Sequence, residues 1–262
     1  MSAEEHRVER DRVESDVSDD SVEEWMAEGA DDRFTARGIT TDTDDRIYIA
    51  GGPNGIDTER PDMWVYDPDG ELLAALKVEA SNAFINDVAI GPDGAGYFTN
   101  SNAPQIFRVA ESADGWAVET WLDASDAIEQ QDGFNLGGIV VSPDGSSLIV
   151  AQGNVGALWR VDLASQLVER ISVGDADLTG ADGLVSSEDT LIVVRNFPRV
   201  LSTLDLEADG RAATLISAVA TDPDRVLTTA KIAGSDLLLV DSKFDEETAE
   251  PPFEVVAVDL TR

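Results

Sequence analysis

The chain has 262 residues, with 53 acidic against 18 basic side chains and a formal net charge of −35. So negative a surface excludes binding to nucleic acid or to anionic membranes, which needs basic patches. Cysteine is absent and the single histidine is His6, so disulfides, thiolate chemistry, histidine triads and histidine-ligated zinc are excluded from the body of the chain.

In chain order, residues 1–20, "MSAEEHRVERDRVESDVSDD", come first. They hold too little apolar surface to offset chain entropy, so the sequence predicts an acidic, disordered tail. No apolar h-region is present, and the protein is expected to be cytoplasmic. No later apolar run is long enough for a membrane span. Residues 21–262 are read as a single domain, a length that buries a sizeable core.

Five segments then repeat one pattern: "RGITTDTDDRIYIAGG" from Arg37, "NDVAIGPDGAGYFTNS" from Asn86, "GGIVVSPDGSSLIVAQG" from Gly137, "DGLVSSEDTLIVVRN" from Asp182 and "TTAKIAGSDLLLVDSKF" from Thr228. Their openings are 49, 51, 45 and 46 residues apart. A period of roughly 40–50 residues with several short strands per unit predicts an all-β propeller. Third strands such as "MWVYDPDG" and "ALWRVDLAS", and fourth strands such as "ELLAALKV" and "WAVETWLDA", complete each blade. Pro-Asp-Gly and Asp-Gly supply the turns.

The last unit offers three strands, ending with "FEVVAVDL", while "VEEWMAEG" at 22–29 resembles the fourth strand "VETWLDAS" at 118–125. Two readings follow. Residues 22–28 complete a five-bladed ring and remove an exposed edge, or they are the stub of an incomplete six-bladed one.

In a propeller the first strand of each blade lines the central channel, so the blade openings converge at one mouth. Here that ring reads Arg37, Asn86, Gly137, Asp182 and Thr228. An amide oxygen from Asn86 and a carboxylate from Asp182 are hard donors suited to calcium or magnesium. Polar residues at strand starts also serve as backbone caps, and Asp87, expected to point away from Asn86, is read that way. Arg37 either binds an anionic ligand or neutralises nearby carboxylates. Trp64, Trp121 and Trp159 are expected between blades, and Lys231 as an inter-blade or solvated charge.

The blocks "FINDVAIGPDG", "GFNLGGIVVSPDG", "GADGLV" and "TTAKIAGSDLLLVDSKF" resemble the gluconolactonase/regucalcin (senescence-marker-protein) family of six-bladed propellers, over about residues 35–250. The resemblance implies a divalent cation, usually calcium, held by a Glu, two Asn and an Asp, and hydrolysis of small sugar lactones. Asn86 matches the first family Asn and Asp182 the family Asp, which also activates water. The second Asn position is Gly137, with Asn135 two residues earlier as the substitute. The family Glu has no counterpart, because Glu28-Gly29 leads into "ADDRF" rather than an inner strand. The unit at Arg37 matches the family's second blade, so the first is missing. The expectation is a monomeric, calcium- or magnesium-dependent hydrolase of a lactone or similar small ester. Asp182 is its catalytic base, Asn86, Asp182 and Asn135 its metal ligands, and Arg37 and Thr228 contact substrate. The alternative is a non-catalytic propeller that binds a small molecule or a protein. The spread of acidic residues over turns and tails further predicts a halophilic protein, because concentrated salt screens self-repulsion.

Overall fold

A computed structural model describes residues 15–16, 26–27, 29–33, 35–52, 59–80, 82–248 and 253–260. Among the described residues, twenty strands form five four-stranded antiparallel sheets, with two 3-10 turns, Ala30–Asp32 and Gly153–Val155. The protein is a five-bladed β-propeller. The first blade comprises β2 (Ala36–Thr41), β3 (Ile47–Gly51), β4 (Met63–Tyr66) and β5 (Leu72–Leu76). The second comprises β6 (Ile85–Ile90), β7 (Gly96–Asn100), β8 (Gln105–Ser112) and β9 (Gly115–Asp123). The third comprises β10 (Leu136–Val141), β11 (Ser147–Gln152), β12 (Ala157–Asp162) and β13 (Val168–Arg170). The fourth comprises β14 (Ala181–Ser187), β15 (Thr190–Arg195), β16 (Val200–Leu206) and β17 (Ala213–Ala220). The fifth comprises β18 (Leu227–Ala233), β19 (Asp236–Asp241), β20 (Val255–Asp259) and β1 (Ser15–Asp16).

The Pro-Asp-Gly turns work as read. In "GPDG" and "SPDG" the glycines Gly94 and Gly145 adopt φ of 78° and 74°, a region open to glycine without a Cβ penalty. Strand alternation then aims one face of each blade backward and the other forward. Val88 packs with Tyr48 and Val65 of the first blade, Ile139 with Tyr97 and Ile106 of the second, and Leu184 with Ile149 and Leu158 of the third. Val185 and Ile192 meet Leu237 and Leu239 of the fifth. Trp64 is fully buried, and Trp121 and Trp159 pack between the second and third blades.

The closing strand corrects the sequence reading. An N-terminal strand does complete the last blade, but it is Ser15–Asp16, pairing with Ala257 and Val256. Those two residues fall inside the stretch read as tail. Of the expected strand at 22–28, positions 22–25 and 28 lie outside the described residues. Met26 instead packs on Ile49, Trp64 and Tyr66 of the first blade. The Trp64 indole N–H donates to the Asp31 carbonyl at 3.0 Å, and the Tyr66 hydroxyl donates to the Asp31 carboxylate at 3.1 Å. This segment covers the backward face of the first blade. Among the described residues no apolar cluster joins the fifth blade to the first, whereas each other boundary has one.

Candidate functional site: the channel mouth

Every inner strand carries a register shift at the same place: between Ala36 and Ile39, Ile85 and Val88, Leu136 and Ile139, Ala181 and Leu184, and Leu227 and Ala230. Two residues per blade fall in each irregularity: Arg37-Gly38, Asn86-Asp87, Gly137-Gly138, Asp182-Gly183 and Thr228-Thr229. A bulge leaves backbone groups without ladder partners, and the polar side chains there supply them. The Asn86 amide donates to the Ser101 hydroxyl at 2.9 Å, and that hydroxyl donates to the Leu136 carbonyl of the next blade. The Asp87 N–H reaches the Thr99 hydroxyl, which donates to the Gly137 carbonyl at 2.7 Å. The Asp87 carboxylate accepts its neighbour Val88 N–H at 2.9 Å and, across the blade boundary, the Ile139 N–H at 3.2 Å. Asp87 is thus a backbone cap, as read from its place in the strand.

Glycine at the second bulge position lets adjacent inner strands approach. A Cβ on Gly138 would collide with the backbone of Leu184 and Asp182, and one on Gly183 would lie 2.7 Å from the Thr228 carbonyl. At Gly137 a Cβ would sit 3.1 Å from the Asp182 carbonyl and 3.6 Å from Asp182 Oδ1. The absent side chain leaves the Asp182 carboxylate facing the space between the second and fourth blades.

Asp182 is held from one side. The Asn196 amide donates to its Oδ2 at 3.0 Å, while the Asn196 oxygen accepts the Phe197 N–H at 2.7 Å. Burial pushes the Asp182 carboxyl up to about 7; the Asn196 amide pulls it down and the negative charge of Asp87 raises it further. Asp87 itself is pushed up to about 6 by burial, against its two backbone N–H bonds and the attraction of Lys231. Both residues are half-buried as a whole, while their carboxylates are enclosed by protein. Asp182 Oδ1 and Asn86 Oδ1 make no hydrogen bond to any described residue.

The other expected site residues are employed elsewhere. The Asn135 oxygen accepts from Gln131, Gln152 and Asn154, and its amide donates to the Gln131 and Gly133 carbonyls. Buried and saturated, it has no lone pair left for a metal, so it does not replace the family's second Asn. The Arg37 guanidinium donates to the Ile85 carbonyl at 2.9 Å and the Gly52 carbonyl at 3.3 Å, and lies 3.9 Å from the Phe84 ring centroid. Burial lowers it to about 10, still charged at neutral pH. It ties the first blade to the second. Thr228 opens the fifth blade's bulge, half-buried, with its carbonyl against Gly183. The structure therefore keeps Asn86 and Asp182 at one register on either side of Gly137, and places Arg37 and Asn135 in supporting roles. Asn196 was missed because it lies on the loop after β15, where "RNF" gives no cue to its contact with Asp182.

Among the described residues no three His, Cys, Asp or Glu converge as a metal site. Of the three expected ligands, Asp182 Oδ1 and Asn86 Oδ1, both hard oxygens, remain without hydrogen bonds. Calcium takes six to eight oxygens, whereas magnesium keeps several waters and accepts one or two carboxylates. A pair this sparse fits a cation that retains most of its water. At the opposite end of the inner strands a depression of about 380 Å³ is lined by Thr41, Asp42, Ile90, Pro92 and Val141. Its one acid, Asp42, is bound by the Arg46 guanidinium at 2.7 Å and the Tyr48 hydroxyl at 3.1 Å, which leaves the mouth as the chemically open end.

No protein-family model matches the chain, and no curated protein matches it. Solved structures do. The allergen Mala s 1 of Malassezia sympodialis is 17% identical with a TM-score of 0.63, over 86% of this chain and 77% of that one. Regucalcin from Agrobacterium tumefaciens, described as a calcium-binding protein, is 19% identical with a TM-score of 0.58, over 84% and 74%. A gluconolactonase from Xanthomonas campestris is 16% identical with a TM-score of 0.55, over 86% and 72%. At these identities the likeness defines the class alone, a β-propeller with gluconolactonase- and regucalcin-like neighbours.

Proposed function

We propose that the channel mouth is the active site of a hydrolase acting on a small lactone or similar ester, sugar lactones included, with a divalent cation, calcium or magnesium, held by Asn86 and Asp182. The observation that carries this reading is Asp182. It is a carboxylate with one oxygen free of hydrogen bonds, raised to about 7 by burial in the metal-free protein and oriented by Asn196, which leaves that oxygen open to a cation and a water. The likeness to a gluconolactonase and to a calcium-binding regucalcin supports it.

A bound cation would supply polarisation of the ester carbonyl. Asp182 takes a proton from the attacking water as the new C–O bond forms at the carbonyl carbon. The ring C–O bond then breaks, and Asp182 returns the proton to the departing oxygen, giving a hydroxy acid. Thr228, at the same level of the neighbouring blade, would contact substrate. Among the described residues no helix is long and apolar enough to cross a membrane. We read the protein as a cytoplasmic, halophilic monomer with a small-molecule substrate and no nucleic-acid or membrane partner.

The second reading, a propeller that binds a small molecule or protein without catalysis, is favoured by one fact: Arg37 and Asn135 are consumed by the scaffold. Calorimetric titration with calcium and with magnesium in molar KCl, alongside a lactone hydrolysis assay, separates the two. The enzyme reading expects cation binding, its loss in Asn86→Ala and Asp182→Asn, and loss of turnover in Asp182→Asn. Absence of both binding and turnover in the wild type leaves the binding module.

A further inference from the structure

The two ends of this propeller differ in surface chemistry. Most loops at the far end are acidic or glycine turns, such as "TDTDDR", "GPDG", "SPDG" and "EADG". The mouth loops instead display phenylalanine: Phe134, Phe197, Phe244 and Phe253 are 60%, 57%, 61% and 54% exposed. All the exposed phenylalanines among the described residues stand on this face. Single exposed apolar residues are ordinary; two of these are joined to the candidate site. Phe134 packs on Phe84 with ring centroids 4.5 Å apart, Phe84 lies under the Arg37 guanidinium, and Arg37 grips the Ile85 carbonyl next to Asn86. Phe197 follows Asn196, the residue that holds Asp182. Phe134 is thus linked through Phe84 and Arg37 to the strand that carries Asn86, and Phe197 directly follows the residue that holds Asp182.

Several side-chain amides at the mouth are spent on backbone and on one another. Asn102 donates to the Asn82 carbonyl, Gln130 to the Asn102 carbonyl and Asn154 to the Asp132 carbonyl, while Asn135 and Arg37 are bound as described. A polyhydroxylated ligand would find these amides already taken and would rely on exposed carboxylates alone, at a cost in hydration. Phenyl rings also lack the polar handle of Tyr or Trp. An apolar body set against them gains by leaving water.

We infer that the mouth selects an amphipathic, uncharged lactone or ester, with its carbonyl at Asn86 and Asp182 and an alkyl or aryl body lying against Phe134 and Phe197. This narrows the hydrolase reading and rests on it. It also suits the protein's field: the net charge of −35 disfavours anionic ligands and helps expel the carboxylate product, although Asp177 and Asp245 at this face are paired with Arg195 and Arg199.

The test pairs two six-membered lactones, δ-decalactone and δ-gluconolactone, with the non-hydrolysable lactam analogue of δ-decalactone as a binding probe. The wild type is expected to hydrolyse δ-decalactone with at least about tenfold higher kcat/KM than δ-gluconolactone, as a well-placed aromatic contact contributes a factor of that order. Phe134→Ala and Phe197→Ala are expected to raise KM for δ-decalactone and weaken lactam binding several-fold, and to lower the kcat/KM ratio of δ-decalactone to δ-gluconolactone. A preference for δ-gluconolactone, or no change in either Phe variant, overturns the inference. If the wild type hydrolyses neither lactone, the lactam decides alone. Binding that Phe134→Ala and Phe197→Ala weaken keeps the apolar site and removes only the hydrolase, whereas no lactam binding overturns the inference as well.

Discussion

Asp87 Oδ2 accepts the backbone N–H of Ile139 from the neighbouring blade at 3.2 Å, so one side chain pairs a donor that the bulge at Leu136–Ile139 has released from its own sheet. The polar pair Asn86-Asp87 at the head of a buried strand follows from this: the inner strands touch at their bulges, and bulges need side-chain partners. Removing the acceptor leaves a buried N–H unpaired, which costs about 1–3 kcal/mol. Asp87→Ala is therefore expected to lower the midpoint of chemical denaturation, while calcium or magnesium binding is retained, since Asp87 spends its carboxylate on backbone and reaches Asp182 only through its charge.

The two channel carboxylates give stability a distinctive dependence on pH. Asp182 and Asp87 are raised to about 7 and about 6, above an ordinary aspartate near 3.8. Between about pH 4 and 7 the folded state then holds more protons than the unfolded chain, so these groups make stability fall as pH rises. At about 1.4 kcal/mol per unit, the loss is on the order of a few kcal/mol. Below that window the sign reverses, because hydrogen bonds and Arg partners hold Asp42 and Asp93 low despite their partial burial. Thermal melts in molar KCl with chelator are expected to show a higher Tm at pH 5 than at pH 8. In Asp182→Asn the fall from pH 5 to 8 shrinks and stability at pH 8 increases, even as hydrolysis is lost. An unchanged pH profile in that variant would remove the raised carboxyl from the account.

Salt acts on the whole surface. With 53 acidic against 18 basic residues, repulsion falls as the Debye length drops from about 10 Å at 0.1 M to about 3 Å at 1 M. Tm measured from 0.1 to 3 M KCl is expected to rise throughout. A flat profile would mean that the charge carries no halophilic adaptation.

Closure is tested by truncation. Deleting residues 1–16 removes the strand paired with Val256 and Ala257 and leaves β20 as an open edge, a template for self-association. Deletion through residue 33 also uncovers Ile49, Trp64 and Tyr66, now shielded by Met26 and Asp31. Size-exclusion chromatography should report progressive aggregation across the two deletions, with the larger loss of Tm in the second. A native profile after the 1–16 deletion would show that the ring does not need its N-terminal strand.

Much of the architecture was legible in the chain itself. Five openings spaced 45–51 residues apart, Pro-Asp-Gly turns and strand-length apolar runs determine a propeller, because turn chemistry and period-two burial are local properties. The level of Asn86, Gly137 and Asp182 around the channel follows from that period too. Tertiary structure decided what each residue does at that level. Asn135 looks like a free amide in sequence, yet its oxygen accepts three hydrogen bonds from Gln131, Gln152 and Asn154. Arg37 looks like an anion receptor, yet it binds carbonyls of two blades. The closing strand moved from 22–28 to Ser15–Asp16, since pairing with the last blade depends on where the ring ends in space. Hydrogen-bond partners, burial and the raised carboxyls of Asp87 and Asp182 arise between blades some 45 to 51 residues apart in the chain. A repeat pattern records which residues share a level, but not which of them the neighbouring blade has already claimed.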